Sequence, residues 1–331
     1  MQRTILVVDP DGSLQRVLEG TSIPTGWRLT VLRSTDSGEL RPALAESEVL
    51  VVKTAPVSRA DLEAAPRLRL IQKFGRRTEN IDLDAARERR VRVETMPLEH
   101  GVWVAEQAIM LLLALTKKLL PGHLGVIAGE NPGRIEPFRT SQTHSTYNWT
   151  GLGGRGTLFR RTLGIVGLGE IGTEVARRAK AFDMEILYYN PPALRLRAEA
   201  EQELAVTYQP LEQLLLRSDY VTLHIPHTGE TEALFGEHQF ALMKPGAYFI
   251  NCSRGGVVDE RALCCALATR QIAGAGLDVF EFEPLPRDSE LLRLENVVLT
   301  PHNAGGPLET IAGEGRELIE RIAHSLATCN R

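Results

Sequence analysis

The stretch "TLGIVGLGEIGTEVARRAKAF", residues 162–182, decides the fold around it because it joins an apolar strand to a helix through a glycine-rich turn. The turn is GxGxxG, from Gly167 to Gly172, with Leu168, Gly169, Glu170 and Ile171 between them. In this setting Gly167 permits the tight turn, Gly169 lets the backbone approach a pyrophosphate, and Gly172 allows close helix packing. The helix N-terminus then favours the phosphate charge. The stretch predicts a Rossmann-type dinucleotide site formed by these six residues.

Short β-branched runs alternate with helical patterns on both sides of this motif. The predicted strands before it are residues 4–9, 28–32, 48–53 and 68–74, and those after it are 185–190, 220–226, 247–253, 272–280 and 296–302. Such alternation is typical of βαβ units and parallel sheets. The sequence therefore predicts an α/β protein with two doubly wound parallel-sheet domains. A last helix, residues 307–328, follows the second series, and composition alone leaves its packing partner open.

Composition narrows the class of protein. The 331 residues are enough for two domains with their own cores, and a net charge of -4 with 24% charged residues is ordinary for a soluble globular protein. No basic excess points to nucleic acid or to an anionic membrane as partner. The four cysteines show neither CxxC spacing nor a Cys/His cluster, which argues against a metal site or a disulfide framework and favours a cytoplasmic location.

The segment Val102 to Leu120 is apolar enough to resemble a membrane span. It carries Glu106 and Gln107 in its first half and Lys117 and Lys118 near its end, which a span disfavours. We expect a buried or interface helix here. Residues 121–156 follow, rich in Gly, Pro and Thr and without periodicity, and they predict an arm, a lid or a partner surface.

The stretch "ILYYNPP", residues 186–192, lies where nucleotide-binding folds usually place a ribose-binding acid. Asn190 stands 23 residues after Gly167 (190 − 167), close to the expected spacing. An asparagine hydrogen-bonds a ribose hydroxyl but lacks the charge that repels a 2′-phosphate, and Pro191 rather than arginine follows it. We expect Asn190 and Pro191 to contact the cofactor, with NAD preferred and NADP not excluded.

Ionisable residues stand at the ends of three later predicted strands, where ligands gather in open α/β sheets. They are Arg254 in "NCSRGG", Asp278 and Glu283 in "DVFEFEP", and His302 in "LTPHNAGG". Each alone also fits a surface arginine, a solvated acid or a capping histidine.

Together with the glycine motif, these segments resemble the D-isomer-specific 2-hydroxyacid dehydrogenases, a family that includes phosphoglycerate dehydrogenase and glyoxylate/hydroxypyruvate reductase. The similarity extends over nearly the whole chain, in the family's order, through "NIDLDAA", "TLGIVGLGEIG", "MKPGAYFINCSRGGVVDE", "GAGLDVFEFEPLP" and "NVVLTPHNAGG". It implies a flavodoxin-like substrate and catalytic domain of residues 1–98 plus 303–331. A Rossmann cofactor domain of residues 99–302 lies between them, with a dimerisation helix and arm at about 99–156 and hence a homodimer.

The resemblance also implies roles for three of the ionisable residues. Arg254 would bind the substrate carboxylate and carbonyl, His302 would be the acid/base, and Glu283 its partner. These residue types suit reduction of a 2-keto acid, because a cationic imidazole stabilises and protonates the developing alkoxide and a carboxylate orients the ring. Formate dehydrogenases resemble the family but carry Gln at the position of Glu283, which argues against formate oxidation.

Further cofactor contacts are implied only by the resemblance. Asp278 matches the acid near the nicotinamide amide, and Cys252 with Ser253 matches backbone near the nicotinamide ribose. The remaining implied contacts are His224, Ile225 and Pro226 at the adenosine pocket, with Thr231 and Gly305.

The loop "GRRTENID", residues 75–82, departs from the family pattern GxGxDNID. Gly75 is kept, but Arg77 replaces the second glycine and Arg76 precedes it. Either both arginines are solvated, or one enters the substrate cleft and pairs with a second anionic group such as a phosphate, phosphonate or distal carboxylate. His100 stands where many members have Asn, and it either lines the same cleft or is a buried structural histidine.

The expected function is reversible hydride transfer between NAD(P) and a D-2-hydroxy acid/2-keto acid pair, with a small molecule as substrate and neither nucleic acid, membrane nor metal as partner. The alternative is a cofactor-sensing regulatory protein of the dehydrogenase-like corepressor type, which retains the same three residues. The absence of long low-complexity tails favours the enzyme.

Overall fold

The computed structural model describes residues 3–10, 12–76, 78–98, 100–191, 196, 198–305 and 308–328. The chain forms two compact units, the first of residues 1–102 with 306–331 and the second of residues 103–305. The boundaries expected from the sequence lie after residues 98 and 302, a few residues before the observed boundaries after residues 102 and 305.

The first unit is built on a five-stranded parallel sheet. Its strands are β1 (Arg3–Val8), β2 (Trp27–Leu32), β3 (Val49–Val52), β4 (Leu70–Phe74) and β5 (Arg92–Met96), and its helices are α1 (Ser13–Leu18), α2 (Ser37–Glu46), α3 (Arg59–Glu63) and α4 (Leu83–Glu88). The strand order is β2-β1-β3-β4-β5, the flavodoxin-like order of doubly wound sheets. Strand β5 was not predicted from the sequence.

Both faces of this sheet are covered, which explains why β3 and β4 are buried along their whole length. One face packs on helices from the N-terminal part of the chain. The other face packs on Leu318, Ile322 and Leu326 of the last helix, which runs from Leu308 to Thr328. The last helix therefore belongs to the core of the first unit.

The second unit begins within helix α5 (His100–Lys117) and is built on a seven-stranded parallel sheet. Its strands are β6 (Thr162–Val166), β7 (Glu185–Tyr189), β8 (Thr207–Tyr208), β9 (Tyr220–Leu223), β10 (Tyr248–Asn251), β11 (Gly274–Leu277) and β12 (Val297–Leu299). The helices after α5 are α6 (Leu119–Ile127), α7 (Glu170–Lys180), α8 (Ala198–Leu204), α9 (Leu211–Arg217), α10 (Glu237–Leu242) and α11 (Glu260–Ala268), and α12 is the last helix of the first unit.

The strand order of the second sheet is β12-β11-β10-β9-β6-β7-β8. The chain reverses its direction of travel across the sheet between β6 and β9, and ligands bind at such a switch point, beyond the carboxyl ends of the strands. The glycine turn, Asn190, His224, Arg254, Asp278 and His302 all follow the carboxyl ends of these strands, so the sheet gathers them at one edge.

The long apolar helix is shorter than predicted. We expected one helix from Val102 to Leu120, but α5 ends at Lys117 and α6 starts at Leu119, with a bend of 59°. The break lies at Lys118, whose left-handed backbone (φ 55°) cannot continue an α-helix. Among the described residues no single helix is long and apolar enough to cross a membrane, and α5 with α6 meets that test only as a bent pair.

The predicted aperiodic stretch of residues 121–156 is wrong at its start, because α6 extends to Ile127. Residues 128–161 form no helix or strand and are mostly exposed. Tyr147, Trp149 and Phe138 are exposed aromatic residues of this arm. The arm therefore presents apolar surface, although its composition is polar.

Candidate active site

The glycine turn has the geometry of a dinucleotide cradle. Gly167 has φ 97°, and a Cβ there would lie 2.5 Å from the carbonyl oxygen of His224. A Cβ at Gly172 would lie 2.3 Å from the carbonyl oxygen of Gly167. Gly169 precedes α7 without a side-chain cap, so the positive end of the helix faces the turn. These residues fit a pyrophosphate, because only glycine permits this close backbone packing.

Asn190 is buried against this turn. Its Oδ1 accepts a hydrogen bond of 2.8 Å from the Leu168 N–H, and the Gly167 N–H donates to the carbonyl oxygen of Tyr189 at 2.9 Å. The sequence analysis missed this structural contact. Asn190 therefore fixes the shape of the turn, and its ribose contact stays a prediction, as does the role of the exposed Pro191.

The residues after β9 border the same turn. The ring of His224 has Nε2 3.0 Å from Thr222 Oγ1, while its Nδ1 is buried and meets no hydrogen-bond partner among the described residues. Burial lowers the pKa of His224 to about 3, so the imidazole is neutral. Ile225 lies against Gly167, and Thr231 Oγ1 donates to the carbonyl oxygen of Pro226 at 2.7 Å.

Glu283 and His302 form the shortest acid–histidine contact of the predicted site. Glu283 Oε2 lies 2.6 Å from His302 Nδ1, and Glu283 Oε1 accepts a hydrogen bond from the Phe280 N–H at 3.1 Å. His302 has φ 52°, an uncommon backbone conformation for a residue other than glycine. The two residues thus meet across the loops that follow β11 and β12.

The charge state of Glu283 follows from its neighbours. Burial alone would raise its pKa, but hydrogen bonds from His302 and the Phe280 N–H, with the charges of His302 and Arg254, hold the pKa below its ordinary value. Glu283 is therefore ionised at neutral pH. The exposed Arg254 acts on it electrostatically, while its Nη1 donates to the carbonyl oxygen of Ser253 at 2.6 Å.

Asp278 is fully buried and anchors the loop that carries His302. Its Oδ1 accepts from Thr300 Oγ1 at 2.6 Å and from the Asn303 N–H at 3.2 Å, and its Oδ2 accepts from the Ala304 N–H at 3.0 Å. Gln107 adds a 2.8 Å hydrogen bond to Thr300 Oγ1. The nicotinamide role of Asp278 stays a prediction, because both of its carboxylate oxygens already bind the protein.

The Arg254 loop is fixed by a residue that the sequence analysis missed. Asn251 Oδ1 accepts hydrogen bonds from the N–H and Oγ of Ser253, and its Nδ2 donates to the carbonyl oxygen of Arg254 at 3.0 Å. Burial, and then the charge of Asp278, raise the pKa of the Cys252 thiol, so it is neutral. A Cβ at Gly305 would meet no atom within 4 Å.

The predicted substrate residues of the first unit lie at the carboxyl edge of its own sheet. Gly75 has φ 116°, and its N–H donates to the carbonyl oxygen of Met96 at 2.8 Å, so this N–H is already used within the protein. Arg76 is exposed beside it. Arg77 lies outside the described residues.

His100 begins α5 and pairs with Glu314 of α12. Its backbone N–H and its ring Nδ1 each lie 3.3 Å from Glu314 Oε1. Burial alone would raise the pKa of Glu314, but the hydrogen bonds and charge of His100, with the charge of Lys53, hold it below its ordinary value. Lys53 Nζ in turn donates to Ser13 Oγ at 3.2 Å. Lys53, Ser13 and Glu314 were not predicted from the sequence.

Cysteines and metal-ligand groups add no further site within the described ranges. Cys252 and Cys264 are buried and Cys265 is exposed, each as a free thiol. Among the described residues no three His, Cys, Asp or Glu side chains are grouped as metal ligands.

Comparison with known proteins identifies the family. Residues 109–304 match the family model of the D-isomer specific 2-hydroxyacid dehydrogenase NAD binding domain. The chain is 42% identical over 278 residues to a glyoxylate reductase of Korarchaeum cryptofilum, covering 84% of this chain and 78% of that protein. It is 38% identical over 319 residues to glyoxylate/hydroxypyruvate reductase B of Shigella boydii, covering 96% and 92%. A solved structure of a Pyrococcus horikoshii protein superimposes with a TM-score of 0.64 at 28% identity, covering 98% and 92%.

These findings confirm the predicted oxidoreductase class, the NAD(P) cofactor and the α/β fold with two parallel sheets. The chain therefore belongs to the D-isomer specific 2-hydroxyacid dehydrogenase family, and it carries that family's NAD binding domain in residues 109–304.

Proposed function

We propose that this enzyme transfers hydride reversibly between NAD(P) and a D-2-hydroxy acid/2-keto acid pair and acts chiefly as a 2-keto acid reductase. The observation that carries the proposal is the 2.6 Å contact between Glu283 and His302, with Arg254 acting on the same carboxylate. The reductase names of the two relatives support this direction. In this proposal the second unit binds the cofactor and the first unit is the substrate and catalytic domain.

The proposed acid/base is His302, acting through Nε2. The nicotinamide cofactor, which the glycine turn of residues 167–172 would hold, would supply hydride to the keto carbon, so negative charge would develop on the carbonyl oxygen of the substrate. Because the ionised Glu283 can only accept a hydrogen bond, it keeps the proton on His302 Nδ1 and stabilises the imidazolium. Nε2 is then the nitrogen that donates a proton to the developing alkoxide.

The proposed binder of the substrate carboxylate is Arg254. A planar guanidinium matches a carboxylate in a bidentate manner, which lysine does not reproduce. One of its nitrogens, Nη1, donates to the carbonyl oxygen of Ser253 and so sets the direction of the side chain. We expect Arg254→Lys to retain the charge but to raise KM for the keto acid by at least about tenfold.

The activity is tested by following oxidation of NADH and of NADPH with glyoxylate, hydroxypyruvate, pyruvate and phosphorylated or phosphonylated keto acids. We expect turnover with at least one of them. Cofactor binding without turnover of any of them would contradict the proposed reaction and favour the cofactor-sensing alternative.

We also propose that the substrate carries a second anionic group. Three basic residues support this, because Arg76 is exposed at the carboxyl edge of the first sheet, Arg77 follows it in the sequence, and Lys53 directly follows β3 at the same edge. Such groups suit a phosphate, a phosphonate or a distal carboxylate.

The second anion is tested by a ratio of specificity constants. In Arg77→Ala the ratio of kcat/KM for a keto acid with the second anion to that for one without it is expected to fall about tenfold or more. Arg87→Ala is the matched control, because Arg87 is an exposed arginine that pairs with Asp84 on α4. An unchanged ratio in Arg77→Ala would remove the argument for a second anion at this residue.

For the cofactor we propose NAD, with weak discrimination against NADP. Asn190→Asp retains an oxygen that can accept from the Leu168 N–H, so the turn should keep its shape while the variant gains a charge that repels a 2′-phosphate. The ratio of kcat/KM with NADH to that with NADPH is expected to rise several-fold. A ratio that does not move would show that this side chain does not face the ribose.

A cytoplasmic homodimer is the proposed assembly. Its support is the exposed apolar side of α6, where Leu124, Val126 and Ile127 are more than half exposed, next to the exposed aromatics of the arm. Leu124→Glu combined with Ile127→Glu should halve the mass measured by light scattering. Leu216→Glu, at an exposed leucine on α9, is the control that should not. A monomeric wild type would contradict the dimer.

A further inference from the structure

In the second unit, the loop after β10 and the loop after β11 are in direct backbone contact, close in sequence to the predicted catalytic residues Arg254 and Glu283. A Cβ at Gly255 would lie 1.8 Å from the carbonyl oxygen of Phe280 and 2.5 Å from the nitrogen of Glu281. Only glycine therefore permits the loop after β10, which carries Arg254, to lie against the peptide that joins Phe280 to Glu281.

The same peptide is held on its N–H side by Glu260. The Glu281 N–H donates to Glu260 Oε2 at 3.2 Å. Glu260 is the first residue of α11, and that helix start is fixed because Asp259 accepts a hydrogen bond from the Ala262 N–H at 3.1 Å. A rigid helix thus fixes the position of the Glu281 backbone.

The held peptide adjoins the peptide that binds the predicted acid/base pair. The Phe280 N–H donates to Glu283 Oε1, and Glu283 Oε2 lies against His302 Nδ1. This N–H belongs to the Val279–Phe280 peptide, which shares the Phe280 Cα atom with the held peptide. A movement of the Phe280–Glu281 peptide is therefore passed to the donor that orients the Glu283 carboxylate. Small displacements of this kind are costly, because catalytic groups tolerate little misplacement.

We propose that Glu260 is a positioning residue of the active site, which holds the Glu281 N–H and thereby keeps Glu283 in hydrogen-bonding reach of His302. The role rests on the proposed function of the Glu283–His302 pair. It acts through the Phe280–Glu283 segment, since Glu260 accepts a hydrogen bond from the backbone of that segment.

The electrostatic surroundings of Glu260 support a role that depends on its hydrogen bond. Burial, and to a smaller extent the charge of Glu281, raise the pKa of Glu260, while the hydrogen bond from the Glu281 N–H opposes them. Cys264 lies one turn further along α11, where burial and then the charges of Glu260 and Glu290 raise its pKa to about 11. Glu260 thus lies near other acidic side chains, and the Glu281 N–H is the group that stabilises its ionised carboxylate.

The opposite pKa shifts of the two carboxylates predict an order of protonation. The pKa of Glu260 is raised and that of Glu283 is lowered, so Glu260 takes up its proton first as the pH falls. A protonated Glu260 still offers its carbonyl oxygen to the Glu281 N–H, so the contact does not require the charge of Glu260.

The test compares Glu260→Gln with Glu260→Ala. Glutamine keeps an oxygen acceptor for the Glu281 N–H, so kcat should stay within about threefold of the wild type. Alanine removes the acceptor, so kcat should fall about tenfold or more while KM for NADH stays unchanged. Glu290→Gln is the matched control, and it should change neither kcat nor KM. A purely structural role of Glu260 would lower the amount of active enzyme without changing kcat per active site.

A second readout does not require turnover. The proton on His302 Nδ1, bonded to Glu283, should give a downfield proton resonance that His302→Ala removes and that Glu260→Ala broadens or shifts upfield. A wild type without turnover would contradict the proposed function, and this resonance would still test Glu260. An unchanged resonance in Glu260→Ala, or a kcat in Glu260→Gln as low as that in Glu260→Ala, would overturn the positioning role.

Discussion

The two units each contain a glutamate–histidine pair, and the pairs differ in access. In the second unit Glu283 and His302 are 2.6 Å apart, with 35% and 44% of their side chains exposed. In the first unit His100 and Glu314 are 3.3 Å apart, and only 4% of the Glu314 side chain is exposed. Both histidines hold the pKa of their carboxyl below its ordinary value.

What distinguishes the pairs is what else each carboxylate binds. Glu314 Oε1 also receives the backbone N–H of His100 at the start of α5, so this pair joins two helices. Glu283 receives the Phe280 N–H within its own loop, so the second pair joins two loops. The two pairs differ in solvent access, in contact distance and in the segments that they join. A glutamate in contact with a histidine therefore does not by itself identify an acid/base.

The largest difference between the two pairs is expected when the histidine of each pair is replaced by alanine. His302→Ala should lower kcat about 10²- to 10⁴-fold, because it removes the proton donor. His100→Ala should lower kcat/KM by no more than about tenfold, mainly through KM, because the role expected for His100 from the sequence is at most to line the substrate cleft. Steady-state kinetics with the best keto acid measures both. Equal losses in kcat would contradict the distinction between the pairs.

The second prediction concerns the loop that carries His302 of the exposed pair, which Asp278 holds in place. Asp278→Asn replaces a buried acceptor of hydrogen bonds from Thr300, Asn303 and Ala304, so the loop with His302 should shift. We expect kcat to fall by up to about 100-fold, as for a catalytic group displaced by an ångström. Asp288→Asn, at an exposed acid of the same unit, should leave kcat unchanged. Wild-type kcat in Asp278→Asn would show that the loop keeps its position without this carboxylate.

The third prediction concerns stability, for which the His100–Glu314 pair should matter more than the Glu283–His302 pair. Glu314→Gln should lower the free energy of unfolding by about 1–3 kcal/mol, because it weakens a buried charged hydrogen-bond acceptor. Glu283→Gln, at a more exposed site, should change it by no more than about 0.5 kcal/mol. Denaturant unfolding followed by circular dichroism measures both variants. A larger loss in Glu283→Gln would reverse the structural assignment.

The smallest expected effect is the pH dependence of that stability difference. Because the folded-state pKa of Glu314 is lowered, its contribution is complete above the ordinary carboxyl range and is lost as the pH falls through the folded-state value. The difference between the wild type and Glu314→Gln should therefore be constant near neutral pH and shrink below about pH 4. Unfolding free energies at a series of pH values measure it. A difference that grows on acidification would contradict the sign.

The sequence was most informative for residues that directly follow a predicted strand, because the end of the strand fixes where such a residue lies. Parallel strands bring their carboxyl ends to one edge, so Arg254, Glu283 and His302 could be expected near each other from three separate motifs. The glycine turn was readable for the same reason, since GxGxxG between strand and helix has one common geometry.

Contacts between distant segments were not readable in this way. His100 and Glu314 are 214 positions apart, and no local pattern connects them. Gln107 gave a weak signal as a polar residue in an apolar helix, yet its partner Thr300 depends on how α5 packs on the second sheet. The break at Lys118 was missed because a left-handed lysine carries no glycine or proline signal.

The position of α12 has a consequence for how the protein is made. Leu318, Ile322 and Leu326 complete a face of the first sheet whose strands all come from the first 96 residues. During synthesis from the N-terminus, that face stays without its cover until the last helix has left the ribosome, and this helix is translated only after the whole second unit. The second unit can fold as soon as it is complete, whereas the first has to wait for the last helix. A nascent chain stalled before α12 should therefore expose an apolar sheet face that chaperones recognise.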